Sequence, residues 1–263
     1  MKISRILISF LLLLALAFPK ISSAQINKVP NLKYHDFEPY FFGFILAANQ
    51  MDFTIETVEN FQQLSFNQSQ IDEDDLPTTK NFDHLSVYGI TSTPTLGFTV
   101  GIVGDLMLGK HFDFRFIPSL AFGSRILRYD LREYVGIDSI IPFVMDQKIT
   151  STFIELPLLL KFKSARVHNF RAYAIGGIKY NFDLASQANK KELGNFEPKL
   201  FRADTQVVGG AGFDFFMNWF KFGVEFTMNY GLRDMLLREN NIYTDGIKSL
   251  RSKIFMITFT FEG

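Results

Sequence analysis

Apolar and polar residues alternate strictly along the stretch from residue 220 to residue 232. The even positions are apolar and the odd positions are polar or glycine: Phe220, Phe222, Val224, Phe226, Met228, Tyr230 and Leu232 alternate with Lys221, Gly223, Glu225, Thr227, Asn229 and Gly231. A period of two residues is that of a β-strand with one apolar and one polar face. The pattern therefore predicts a strand with two chemically different faces.

The residues just before this strand, 207–215, alternate in the same way, so the two runs predict a β-hairpin around residues 217–218. In that register Asp214 lies opposite Lys221, a favourable cross-strand pair. Met-Asn is a poor two-residue turn, and a loop longer by one or two residues is the open alternative. The hairpin suits a soluble sandwich with its apolar face inside, or a membrane barrel with that face toward lipid.

The same alternation recurs along the chain and predicts eight strands, at residues 40–55, 95–108, 112–129, 148–162, 170–184, 207–215, 220–232 and 249–261. Connections after the second, fourth and sixth strands are short, whereas the others are long: residues 56–93, 130–147, 185–203 and 233–248. Short periplasmic turns and long external loops are typical of outer-membrane barrels. We therefore predict an all-β fold, an eight-stranded antiparallel up-and-down transmembrane β-barrel over residues 40–263, rather than a soluble sandwich.

Two local features modify these strands. Pro157 lacks a backbone N–H and predicts a bulge within the fourth strand. Within the long first external loop, residues 85–90 predict a strand extension that rises beyond the membrane.

The N-terminus predicts export from the cytoplasm. Lys2 and Arg5 precede an apolar run at residues 6–18, and small residues at 22–24 supply a cleavage site. This arrangement predicts a secretory signal peptide over residues 1–24, with an uncleaved anchor as the alternative. Residues 25–39 are then expected to form an extended periplasmic lead before the barrel.

Composition supports an outer-membrane location and removes several kinds of chemistry. The chain contains 31 Phe and no Cys, and its formal net charge is zero. Without cysteine there is no lipoprotein anchor, disulfide or thiol chemistry. A net charge of zero gives no reason to expect nucleic acid as a partner.

The polar faces of the predicted strands place nine charged residues inside the barrel: Asp105, Arg115, Arg125, Glu155, Lys161, Lys179, Asp214, Lys221 and Glu225. An eight-stranded barrel is just wide enough for its side chains to fill. Because an unpaired buried ion is costly, we expect these charges to pair and to form a structural plug. A proton or ion path through the barrel is the alternative.

Candidate chemistry in the sequence is sparse. Among the four histidines, His84 near Ser86 is the best pair for nucleophilic catalysis, yet no acid accompanies it on one strand face. The acidic run at residues 72–75 lacks the alternating ligands of a calcium loop. We therefore expect no catalytic, cofactor-binding or metal site and no small-molecule substrate. The basic link at residues 161–171 suits anionic lipid headgroups or a periplasmic partner.

Several motifs together resemble the PorT family. They are IELPLLLK at 154–161, NFRAY at 169–173, GGIKY at 176–180, FGF at 42–44, MDF at 51–53, RFIP at 115–118 and FDFF at 213–216. They are spread over most of the chain after the predicted signal peptide.

The resemblance implies an outer-membrane barrel subunit required by the type IX secretion system, which in some hosts also supports gliding motility. The implied contacts are outer-membrane lipid and other secretion-system subunits. The resemblance implies no catalytic residues. Two alternatives come from other functional classes: a surface barrel whose external loops bind or adhere, and a barrel hydrolase.

Overall fold

The computed structural model describes residues 30–67, 82–136, 139–186 and 198–263. Its main feature is one antiparallel sheet of 11 strands. The strands are β1 (Tyr40–Thr57), β2 (Ser65–Phe66), β3 (His84–Thr93), β4 (Thr95–Met107), β5 (Phe112–Phe116), β6 (Ser119–Val135), β7 (Ser139–Lys163), β8 (Phe170–Asp183), β9 (Ala203–Phe216), β10 (Lys221–Gly231) and β11 (Ile247–Glu262), with short 3₁₀ helices at His35–Phe37 and Phe61–Gln63. The predicted signal peptide and the acidic run at 72–75 lie outside the described residues.

The sheet closes into a barrel, because β1 pairs with β11 on one side and with β4 on the other. Eight continuous paths form the wall. β3 and β4 are one path interrupted at Pro94, β5 and β6 are one path interrupted at residues 117–118, and β2 is a two-residue strand beside β3. The predicted antiparallel barrel is therefore confirmed; two of the three extra strands arise from interruptions, and the third is β2.

The predicted bulge at Pro157 is wrong. The ladder to β8 runs through it in constant register, with Pro157 opposite Lys179. On the other side of β7 the register is also constant, since Phe116 pairs with Leu158 and Ser119 with Glu155. Proline at 118 and at 157 removes hydrogen-bond donors from the same place in the ladder without inserting a residue.

The predicted register of the β9–β10 hairpin is also wrong. Lys221 pairs with Phe216, and Asp214 lies opposite Gly223. The loop covers residues 217–220 and closes through a hydrogen bond of 3.0 Å from the Met217 N–H to the Phe220 carbonyl. This longer loop shifts the register by two residues, which leaves every side chain on its predicted face.

One end of the barrel has short connections, at residues 108–111, 164–169 and 217–220, and we call it the short-turn end. At the opposite, long-loop end, the expected loop at 130–147 is instead a hairpin, because β6 and β7 continue as paired strands to Val135 and Ser139. The predicted extension at residues 85–90 is confirmed as part of β3, which pairs with β6.

Side-chain polarity reverses along these long strands. Toward the short-turn end, outward residues such as Phe226 (51% exposed) are apolar and the interior is polar. Toward the long-loop end, the interior holds an apolar cluster: Phe53, Phe66, Phe82, Leu85, Val87, Ile90, Leu127, Tyr129, Leu131, Leu200, Met235, Leu236, Ile242, Tyr243, Ile247 and Leu250. Its outer surface carries exposed ion pairs such as Arg128 with Asp146 at 2.8 Å. The wall thus combines a band compatible with lipid and an extension compatible with water.

Candidate functional site in the barrel interior

All nine charged residues predicted for the lumen have buried side chains on the inner face of the wall. Arg115, Arg125 and Lys161 are 0% exposed. Alternation along each strand produces this placement, since residues two apart share a face. The cross-section is filled by side chains where the sequence predicts a plug.

Arg115 is the hub of the largest charge cluster. Its guanidinium nitrogens lie 2.8 Å from Asp105, 2.8 Å from Glu262 and 3.2 Å from Glu225. Lys221 joins the same cluster at 2.6 Å from Glu262 and 3.8 Å from Asp105. Two cations and three carboxylates from four strand paths therefore cross-link the wall from inside.

Lys161 extends this cluster across the barrel. Its ammonium lies 2.8 Å from Asp214 and 3.8 Å from the centroid of the Tyr173 ring. The Tyr173 hydroxyl donates a 3.1 Å hydrogen bond to Glu225. The tyrosine thus links the lysine pair to the arginine hub.

A second buried ion pair lies nearer the middle of the barrel. Lys179 and Glu155 form a 2.6 Å ion pair, and the Ser119 hydroxyl lies 3.2 Å from the same carboxyl group. A cavity of about 30 Å³ adjoins this pair. That volume has room for a water molecule and not for a solute path.

Arg125 differs from the other eight residues. Among the described residues no carboxylate lies within ion-pair distance of it, and its nitrogens donate to Ser151 at 2.8 Å and Ser252 at 3.1 Å. The guanidinium carbon lies 4.3 Å from the centroid of Phe53 and 5.3 Å from that of Phe153. The Arg125 guanidinium is therefore surrounded by hydroxyl groups and aromatic faces instead of the expected carboxylate.

The sequence interpretation missed Glu262, because it ended the last strand at residue 261. Thr258, Thr260 and Glu262 continue the inward alternation of β11, and this alternation is the signal that identifies Glu262 as a lumen residue. The sequence interpretation also did not predict two further ion pairs near the short-turn end. Lys163 lies 2.5 Å from Asp113, and Arg171 lies 2.6 Å from Asp36 of the lead segment.

The described part of the lead, residues 30–39, is not extended as predicted, because it folds back across the short-turn end. The side-chain Nδ2 of Asn31 donates a 3.0 Å hydrogen bond to the Phe216 carbonyl, and Arg166 donates a 3.2 Å bond to the Leu32 carbonyl. Although burial alone would raise it, the hydrogen bond and charge of Arg171 hold the pKa of Asp36 below its usual range. Residues 30–39 therefore cover the charge cluster, and we call them the cork.

His35 is the buried centre of this cork. Its ring stacks on Phe41 at 3.7 Å between centroids and meets the edge of Phe216 at 5.3 Å. Burial, aided by the charge of Lys221, lowers the pKa of His35 from 6.5 to about 3. The imidazole is therefore neutral at neutral pH.

His84 and Ser86, the pair considered for catalysis, lie two residues apart on β3. The His84 ring stacks on Tyr134 at 4.3 Å between centroids. Among the residues that the structure describes, no group of three or more histidines or acids could hold a metal ion.

A search of the described residues for helices long and apolar enough to span a membrane finds none.

A closed antiparallel wall with lipid-compatible residues outside and polar residues inside defines a transmembrane β-barrel. The family model described as outer membrane protein beta-barrel domain matches residues 47–237, and the chain belongs to this family. The crystal structure of the outer membrane protein OprG from Pseudomonas aeruginosa is similar, with 14% identity, a TM-score of 0.42, and coverage of 86% of this chain and 97% of that chain. A search of curated proteins found no match.

The protein is therefore located in the outer membrane, where its apolar band contacts lipid. The short-turn end faces the periplasm and the long-loop end faces the exterior, as in other barrels of this kind. The cork lies at the short-turn end.

Proposed function

We propose that this protein is a non-enzymatic barrel subunit needed for protein secretion by a type IX secretion system. The motifs shared with the PorT family support this proposal, and the family match over residues 47–237 agrees with its fold. In this proposal residues 1–24 direct export and are removed, and residues 25–39 remain as the lead. Its partners are other secretion-system subunits, with no cofactor, nucleic acid or small-molecule substrate.

The filled interior is the observation that supports the role of an accessory subunit over that of a pore. Arg115, Lys161 and Lys221 and their acids occupy the lumen, and the cork covers its periplasmic end. We propose that the nine predicted residues act together as a structural plug. A barrel filled in this way acts through its surfaces, which are the external extension and the periplasmic turns.

A clean deletion with plasmid complementation tests the secretion role. We expect cargo bearing the C-terminal sorting domain to disappear from the cell surface and the medium and to accumulate in the periplasm, and we expect the wild-type gene to restore export. Fractionation and immunoblotting measure both. Normal export in the deletion strain, with the protein proved absent, would overturn the proposal.

The water-compatible extension favours a second candidate, a surface barrel whose external loops bind or adhere. The apolar core around Leu127 and Leu250 gives β6 and β7 a rigid support outside the membrane. The deletion strain separates the two functions, because loss of surface binding with normal export supports this alternative.

The plug also predicts the electrical behaviour of the purified protein. We expect no large, steady conductance in planar lipid bilayers, since bulky paired charges fill the lumen and an eight-stranded wall leaves no aqueous channel. Single-channel recording on refolded protein measures this. A stable nanosiemens-scale pore would contradict the plug without deciding the secretion role.

A further inference from the structure

Three arginines lie at the external ends of three neighbouring strands. Arg202 directly precedes β9, Arg233 follows the end of β10, and Arg251 is on β11. The three strands are consecutive in the wall, because β10 pairs with β9 on one side and β11 on the other. Arg202 and Arg233 are exposed and Arg251 is half-buried. Together they form a row, which we call the arginine rim.

The arginine rim lies at the outer boundary of the lipid-facing band. From Phe261 to Arg251, β11 rises about 25 Å along the barrel axis at about 3.4 Å per residue and a tilt of about 40°. Outer-membrane barrels carry an apolar band about 25 Å tall. Phe255, Ile257 and Phe259 are exposed on the wall between these two positions. The rim is therefore at the level of lipid headgroups in the external leaflet.

The rim differs from three other cations of the external side, which have acidic partners. Lys248 lies 2.6 Å from Glu56, and Arg128 and Arg238 are paired in the same way. Within the described ranges none of the three rim arginines has an acid at ion-pair distance. The buried Nε of Arg251 has no hydrogen-bond partner there either.

An aromatic ring holds Arg233 in place, and the nearby carboxylates of Glu56 and Asp234 are paired with other cations. The Arg233 guanidinium lies over the Phe201 ring at 4.4 Å. The neighbouring carboxylate of Asp234 is 3.1 Å from Arg238 and accepts a 2.9 Å hydrogen bond from the Leu250 N–H. Its charge is therefore already engaged.

An apolar depression of about 390 Å³ lies in the outer wall below the rim. Phe226 and Met228 of β10 and Phe255 and Ile257 of β11 line it. Gly209, which also lines it, adds no side chain to the wall. The depression lies at the depth of acyl chains.

We propose that the arginine rim binds a phosphate group of an outer-leaflet lipid whose acyl chain occupies this depression. Guanidinium groups bind phosphate oxygens through two parallel hydrogen bonds, so unpaired arginines at headgroup level suit a phosphorylated headgroup. The apolar depression below selects a lipid over a free phosphate ion, which would gain nothing from it. This inference does not rest on the secretion role.

Native mass spectrometry of the detergent-solubilised full-length protein tests the site. The probes are a diphosphorylated lipid A and the same lipid without phosphates. We expect the wild type to retain the phosphorylated probe at least about tenfold more tightly, as a single phosphate–guanidinium contact already supplies this factor. Arg202→Gln, Arg233→Gln and Arg251→Gln together should remove the preference.

The matched control carries Arg128→Gln, Arg238→Gln and Lys248→Gln, which remove the same charge from paired external positions. It should keep the wild-type preference. The proposal is overturned if the rim variant keeps the preference, if the control loses it equally, or if millimolar inorganic phosphate displaces the lipid completely. A heat-modifiability gel shows whether each variant folds. If the triple variant does not fold, Arg251→Gln alone replaces it. We expect this single variant to retain the phosphorylated probe less tightly than the wild type does.

Discussion

Arg115→Met is expected to destabilise the barrel by about 3–5 kcal/mol, the cost of removing one partner from a buried charge cluster. The substitution leaves Asp105, Glu225 and Glu262 buried, with only Lys221 still close to two of them. Methionine is similar in length, so the loss reflects charge more than packing. Urea titration in lipid vesicles, followed by the folded band on semi-native gels, measures the change.

Arg128→Met provides the matched control. Arg128 forms a well-aligned ion pair with Asp146 on the outside of the extension, where both side chains are nearly half exposed. Exposed ion pairs contribute little to stability, so the urea midpoint should stay within experimental scatter. Equal midpoints for Arg115→Met and the wild type would mean that the interior cluster does not hold the wall together.

Phe226→Arg is expected to lower stability by about 2–4 kcal/mol, the cost of an arginine on the lipid face near the bilayer midplane. Phe226 is 51% exposed and lies halfway along the apolar face of β10. Leu232→Arg is the control on the same face, since Leu232 is 55% exposed and lies beside the arginine rim. At that interface the cost falls to about 0–1 kcal/mol.

Cysteine labelling gives an independent check of the faces, because the natural chain contains no cysteine. A lipid-soluble maleimide should react in membranes with cysteine at 224 and 226 and spare 225, which is buried beside Arg115. Preferential labelling of 225 from the lipid phase would contradict both the face assignment and the expected cost of Phe226→Arg.

Strand faces were predictable from the sequence, whereas strand register was not. Alternation with a period of two residues assigns Glu225 to the interior in any register that differs by two. For the same reason, the face pattern could not reveal that the predicted register was off by two residues. Asp214 lies opposite Gly223 instead of Lys221. Turn length sets the register, and Met217 and Asn218 carry no strong turn signal.

The hairpin formed by the external ends of β6 and β7 was missed for a different reason. A membrane strand is recognised by an apolar outer face, and that rule reverses in the extension, where Leu131 points into a core and Arg128 points to water. The cork was missed because its contacts join distant parts of the chain. Asp36 and Arg171 are 135 residues apart in sequence.

The position of Glu262 ties barrel closure to charge neutralisation. Its carboxylate lies at the end of the last strand and reaches both Arg115 and Lys221. In an intermediate whose β1–β11 seam is still open, Lys221 already faces Glu262 across the β10–β11 pair, whereas Arg115 lacks this acid. Closure of the β1–β11 seam therefore completes the hydrogen-bonded wall and brings Glu262 to Arg115 in one event, so that a chain truncated before Glu262 keeps most of its seam pairs but leaves Arg115 short of one acid.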